Sequence, residues 1–140
     1  MQIEVFNPDP LVDVSLINSS IELVFAGEKH ELSFVNVIFM GHEELRKLKQ
    51  EYFKLDVYTD VIAFNLNEPG RAIEGEIYLS MDQIKLNATQ YKTDLHAELY
   101  RVLIHGCLHL CGHEDDTDAS KQKMTKLEDH YLSMLDLSGI

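Results

Sequence analysis

The sequence of 140 residues, 45% hydrophobic and 26% charged, is long enough to bury a core and short for two domains. Its net charge of −12 argues against a general nucleic-acid coat protein, because phosphate contacts need clustered Lys and Arg, but is compatible with an enzyme carrying a local basic strip. No apolar run approaches the roughly 18 residues that span a bilayer, and the amino end lacks a basic segment followed by an apolar one. We therefore expect one cytoplasmic domain over residues 1–140, not attached to a membrane.

Strands and helices alternate in the first part of the chain. Alternating polarity over residues 2–6 predicts a strand, which ends at a turn with two prolines. An apolar stripe at helical spacing covers residues 11–26 and stops at Gly27. Residues 32–40, β-branched and aromatic, predict a second strand, and the amphipathic segment 43–53 a second helix.

The second part begins with two short strands and ends with helices. The strands, residues 59–64 and 76–80, flank a loop of turn residues. Ser80-Met-Asp-Gln83 has the form of a capping box and predicts a helix that breaks near residues 87–89. Thr93 is predicted to cap a buried central helix that runs to about Cys111, and a last helix covers residues 119–137. This order predicts an α+β fold, a small mixed four-stranded sheet packed with about five helices.

The end of the central helix has a spacing typical of metal sites. His105 and His109 lie four residues apart, so both imidazoles project from one helix face and can bind one ion. Gly112 predicts a left-handed turn, after which the chain can fold back and supply a third ligand. The spacing leaves that ligand open among His113, Glu114, Asp115, Asp116 and Asp118. The two cysteines, on the opposite helix face, are expected to be core residues.

This ligand set favours one zinc ion per chain, with water at the fourth position, although nickel, manganese or iron can use the same ligand types. Such an ion lowers the pKa of its water and polarises the bond under attack, which is hydrolase chemistry. Gly106 stands where helix-borne zinc peptidases have a glutamate base, which argues against a peptidase of that type. Glu98 and Arg101 fall near the histidine face, where they can orient a ligand, meet a phosphate or form an interhelical ion pair.

Three segments together resemble the YbeY family of bacterial endoribonucleases and rRNA maturation factors. They are His105-Gly-x-Leu-His109-Leu-x-Gly112, Thr59-Asp-Val-Ile-Ala-Phe64 and Gly75-Glu-Ile77, within a similarity over residues 45–118. In the family a third histidine follows the second by six residues, and Asp115 occupies that position here, while His113 takes a tyrosine position. The resemblance implies His105, His109 and Asp115 as the metal ligands.

A second departure from the family pattern concerns a cation. The family commonly has an arginine, thought to serve RNA cleavage, where Phe53 follows Tyr52 in this chain. Lys54 and Arg71 are candidates to replace its charge and, with Glu98 and Arg101, are the catalytic candidates. Two lysine-rich helices, residues 46–54 and 121–126, are either the basic strip or ordinary solvated helix faces.

The resemblance implies a single-strand-specific, metal-dependent endoribonuclease acting in rRNA maturation and ribosome quality control, in which metal-bound water attacks the phosphodiester. An alternative is a ribosome-assembly factor with a structural or vestigial metal, for which a basic small-subunit ribosomal protein is a natural partner of a chain of charge −12. A third hypothesis is hydrolysis of another substrate, such as a nucleotide or a peptide.

Overall fold

The computed structural model describes residues 2–137, in which a four-stranded mixed sheet is covered by five helices, so the predicted α+β fold is confirmed. The strands are β1 Gln2–Phe6, β2 Leu32–Met40, β3 Val61–Asn65 and β4 Ile73–Ser80. The helices are α1 Val14–Gly27, α2 His42–Phe53, α3 Met81–Tyr91, α4 Leu95–Leu110 and α5 Asp118–Ser133. The spatial order is β1-β2-β4-β3, with β1, β2 and β4 parallel and β3 antiparallel to β4. β3 is therefore an edge strand.

Side chains that cap helices decide where the element boundaries differ from the predicted ones. α1 begins at Val14 rather than at residue 11, because the Asp13 carboxylate accepts the Leu16 N–H. α4 is capped by Asp94 rather than by Thr93, with the Asp94 carboxylate accepting two backbone N–H groups. Ser80 caps α3 as predicted. α3 continues to Tyr91, past the predicted break at residues 87–89. α5 ends at Ser133, before the predicted end at residue 137.

α4 is the centre of the fold. It packs against β3 and β4 on one side and against α1, α3 and α5 on the others, and most of its residues are buried. Gly106 allows a close approach to the sheet, since a Cβ there would lie 3.1 Å from Val61 and 3.2 Å from Ile77. The helix end that bears the two histidines is thereby held beside the edge strand β3.

No helix within residues 2–137 combines the length and the apolar character that crossing a bilayer requires.

Candidate metal centre

Backbone hydrogen bonds end α4 and turn the chain back towards the histidines. Gly112 adopts φ +96°, in the left-handed region that glycine favours. Its N–H donates to the His109 carbonyl at 3.0 Å, and the N–H of His113 donates to the Leu108 carbonyl at 3.0 Å. These two bonds form a Schellman motif. The loop that follows brings Asp115 next to His105 and His109.

The three candidate ligand atoms have the separations that one metal ion requires. His105 Nε2 lies 2.9 Å from His109 Nε2, and Asp115 Oδ2 lies 3.3 and 3.6 Å from these two nitrogens. Ligands at the usual zinc distances of about 2.0–2.1 Å in a tetrahedron are about 3.3 Å apart. Within residues 2–137 these three residues form a candidate metal-binding site.

The hydrogen bonding of His105 also fits a cation. Its Nδ1 lies 2.6 Å from Glu128 Oε2, so the Nδ1–H donates to this carboxylate and the neutral ring carries its lone pair on Nε2. That lone pair points at His109 Nε2, beside the charged oxygen of Asp115. One shared proton can satisfy a single pair of these acceptors, whereas a cation between them satisfies all three.

The pKa values of the two imidazoles shift in opposite directions. Burial lowers the pKa of His105, but the hydrogen bond and charge of Glu128 and the charge of Asp115 outweigh this, so its pKa is raised. Burial and the nearby charge of His105 lower the pKa of His109. Proton competition with a metal is therefore concentrated at His105.

Glu128 holds His105 from α5, and sequence reasoning missed it. Its side chain is only 10% exposed, and its second oxygen, Oε1, accepts from Arg101 at 3.0 Å. Arg101 also pairs with Asp129 at 2.5 Å, so it contacts the site through Glu128 as an interhelical ion pair. One sequence signal could have found Glu128: this carboxylate shares a face of α5 with Met124 and Tyr131, which are both buried.

Asp60 is a second functional candidate that was not singled out. It lines the same cavity as the ligands, and burial raises its pKa, partly offset by the charge of His105 and a hydrogen bond from Asn87. Asn87 Nδ2 donates to Asp60 Oδ2 at 2.9 Å, Gln83 donates to Asn87 at 2.9 Å, and Gln83 Oε1 lies 2.9 Å from His42 Nε2. This chain of side chains fixes the Asp60 carboxyl beside β3.

The predicted catalytic candidates lie in different surroundings. Glu98 is buried behind His105, in a small cavity of about 140 Å³ that Asp60 and Arg101 also line. Burial raises the pKa of Glu98, although a hydrogen bond from Asn87 opposes this. The Lys54 ammonium donates to the Glu51 carbonyl outside the metal cavity. Arg71 pairs with Glu68 at 3.4 Å and lines an adjoining groove.

His113 and the cysteines lie outside the candidate cluster. His113 Nε2 lies 2.5 Å from Glu28 Oε1, and Tyr131 donates to the other oxygen of Glu28 at 2.5 Å, which ties the loop to α1 and α5. Cys107 is fully buried, and Cys111 is half-buried with its pKa raised by burial to about 12. Burial raises the pKa of both thiols, and neither cysteine belongs to the candidate cluster.

The three candidate ligands line an open cavity of about 490 Å³ that crosses the edge strand β3. Consecutive strand residues Val61, Ile62 and Ala63 line it, and successive strand side chains point to opposite sheet faces. Lys49 and Phe53, from the last turns of α2, also line it. The cavity is large enough for a small ligand or a segment of a polymer.

Comparison with known proteins identifies the family. A family model described as Endoribonuclease YbeY matches residues 12–136. The Endoribonuclease YbeY of Chloroherpeton thalassium is 44% identical over 119 residues, covering 85% of this chain and 84% of that protein. That of Chlorobaculum tepidum is 35% identical over 136 residues, covering 96% and 98%. The solution structure of TM1509 from Thermotoga maritima superposes with a TM-score of 0.65 at 29% identity, covering 94% of this chain and 87% of that one. The resemblance predicted from the three sequence segments is thus confirmed, and this chain belongs to the YbeY family.

Proposed function

We propose that this protein is an endoribonuclease that cleaves single-stranded RNA with a divalent metal ion held by His105, His109 and Asp115, and that it acts in rRNA maturation and ribosome quality control in the cytoplasm. The observation that carries the proposal is the spacing of the three ligand atoms in an open cavity, 2.9 to 3.6 Å. The names of its relatives, Endoribonuclease YbeY, support the reaction class.

Zinc is the proposed ion, and when bound it would polarise a phosphodiester oxygen and lower the pKa of a water molecule. Asp115 adds a negative charge to the ligand set where the family pattern has a neutral histidine. The ligands and a divalent ion then carry a net charge of about +1 rather than about +2. Manganese is the second choice, since a carboxylate ligand suits it better than an imidazole does.

The residues around the ligands position and exchange protons. Glu128 accepts the Nδ1–H of His105 and so keeps the Nε2 lone pair directed at the ion. Asp60 is the carboxyl group best placed to hold a proton in the cavity, because burial raises its pKa and Asn87 fixes its Oδ2. We propose Asp60 as the general acid or base of the reaction, with Arg101 acting through Glu128.

The test compares cleavage of a single-stranded RNA with cleavage of the same strand in a duplex, after metal removal and reconstitution with zinc or manganese. Wild-type protein should cleave the single strand once metal is restored, and His109→Ala and Asp115→Ala should abolish both cleavage and metal binding. His113→Ala should retain the metal, because the His113 side chain contacts Glu28 rather than the three candidate ligands. Cleavage by a purified His109→Ala protein at the wild-type rate would refute the proposal.

A ribosome-assembly role independent of cleavage is the second candidate. It is supported by Phe53, which lines the cavity where the family pattern has an arginine, and by the chain's charge of −12. A deletion strain complemented with folded Asp115→Ala protein distinguishes the two. Full rescue would favour binding, for example to a basic ribosomal protein, and failure to rescue would favour the nuclease.

A further inference from the structure

Two side chains of α2 share a cavity with the candidate metal centre. Lys49 and Phe53 are one helical turn apart, and the Lys49 ammonium lies 4.7 Å from the centroid of the Phe53 ring. Both line the cavity that contains His105, His109 and Asp115. A cation beside an aromatic ring is a pairing suited to a nucleotide, which offers a phosphate and a flat base.

The Phe53 ring is held in place, has the Lys49 ammonium over it and is partly exposed. It stacks on Phe64 of β3, with a centroid distance of 5.7 Å and an interplanar angle of 15°. Phe64 is fixed in turn by edge contacts with Tyr52 at 5.4 Å and Tyr78 at 6.0 Å. Nevertheless 43% of Phe53 is exposed. A supported aromatic ring that remains open to solvent loses little entropy when a base stacks on it.

Lys49 supplies the charge that a phosphate would need. The cavity is otherwise acidic, with the carboxyl groups of Asp60, Glu114 and Asp115 in its lining. Among the described residues that line it, Lys49 is the single Lys or Arg, and within residues 2–137 it forms no ion pair with a carboxylate. Arg46, one turn earlier, is neutralised by Asp56 at 2.6 Å.

Building on the proposed function, we propose that Lys49 and Phe53 form the nucleotide-binding side of the cavity: a base of single-stranded RNA stacks on Phe53 in place of the Lys49 ammonium, which moves to a backbone phosphate. Stacking on Phe53 also selects against duplexes, because both faces of a base inside a helix are already covered by its neighbours.

Binding is measured without cleavage, by fluorescence anisotropy of a labelled single-stranded RNA in the presence of a chelator. A second probe of equal length carries abasic positions, so it keeps the phosphates and lacks the bases. Phe53→Leu should weaken binding of the intact RNA by roughly 5- to 150-fold, the loss typical of one stacked base, and leave the abasic probe unaffected. Phe53→Trp keeps an aromatic ring at this position and should bind both probes as the wild type does.

The lysine is tested by salt dependence. Lys49→Gln should reduce the slope of log affinity against log salt by about 0.7, the value for one phosphate contact on a single strand, and Lys49→Arg should keep the slope. Tyr91→Leu and Lys92→Gln are matched controls, because both residues are exposed and neither lines the cavity. Both controls should bind as the wild type does.

Wild-type protein that binds intact and abasic probes equally, or Phe53→Leu protein that keeps the wild-type preference, would overturn the inference. The wild-type comparison does not depend on whether any variant folds. Cleavage assayed in parallel with metal separates the two proposals. Wild-type protein that cleaves RNA without a stacking preference removes this inference alone, and wild-type protein that does not cleave refutes the proposed function.

Discussion

Replacing Glu128 by glutamine tests whether this carboxylate organises the metal centre. Glu128 accepts two donors on separate oxygens, the His105 Nδ1–H at 2.6 Å and the Arg101 guanidinium at 3.0 Å. Glutamine has one acceptor oxygen, so its amide nitrogen must face one of these donors. Facing His105, it would favour the tautomer with the proton on Nε2 and remove the lone pair that the metal needs. Facing Arg101, it would place donor against donor.

The expected loss follows from these contacts. Either arrangement weakens the support of His105, a proposed metal ligand. The Glu128 side chain is only 10% exposed, so water cannot readily compensate. Losses of this kind typically cost 10- to 100-fold in metal affinity, about 1.4–2.8 kcal/mol. We expect Glu128→Gln to bind zinc that much more weakly than the wild type, in competition with a chromophoric chelator at constant pH.

Asp129→Asn is the matched control. Asp129 also pairs with Arg101, at 2.5 Å, but it is 59% exposed and contacts Arg101 rather than His105. Its substitution removes one carboxylate from the same ion-pair network and should change zinc affinity less than about threefold, as is typical of exposed pairs. The reasoning is refuted if Glu128→Gln binds zinc as the wild type does, or if both variants lose affinity equally.

Three further predictions concern pH, a buried carboxyl group and helix packing. Because the pKa of His105 is raised, zinc must displace its proton over a wider pH range. Calorimetry should show zinc affinity falling about tenfold per pH unit below that pKa. A zinc affinity that does not change between pH 5 and 8 would contradict this. The raised pKa of Asp60 means that its contribution to stability is full below the unfolded carboxyl pKa and is lost as pH rises through the folded pKa. Asp60→Asn should therefore raise the thermal midpoint of metal-free protein at pH 7 by about 2–5 °C and abolish cleavage, whereas a lower midpoint would show that the ionised carboxylate is stabilising. Gly106→Val would crowd Val61 and Ile77, because a Cβ alone already lies within 3.2 Å of each. The free energy of unfolding in denaturant should fall by about 1–3 kcal/mol. Unchanged stability would mean that α4 can shift freely.

Local patterns explain why most of the fold was predictable. The strand over residues 32–40 has the predicted bounds, because a β-branched and aromatic run between turn residues has few alternatives. The start of α1 was less predictable, since Leu11 continues the apolar stripe while the Asp13 side chain provides the cap. The Leu11 N–H is instead bonded to Asp9, which competes with helix formation at that position.

The environment of each candidate site residue was harder to predict, because it depends on contacts between distant segments. Glu128 lies 23 residues after His105, and Glu28 lies 85 residues before His113. Neither pairing leaves a periodic signal in the sequence. Lys49 could be placed in a basic segment but not at the cavity, since that depends on where α2 packs in the tertiary structure.

The sequence by itself determined that His105 and His109 share one helix face and that Gly112 ends the helix, because helix geometry and left-handed glycine turns follow from local backbone bonding. Helix spacing left five residues as possible third ligands, and the family resemblance selected Asp115. Only the tertiary structure decided that Asp115 Oδ2 lies 3.3 Å from His105 Nε2, that His113 contacts Glu28 and that Glu128 accepts a hydrogen bond from His105. These outcomes depend on how α1, α5 and the loop after α4 pack together, and the free energy of that packing is distributed over side chains far apart in the chain.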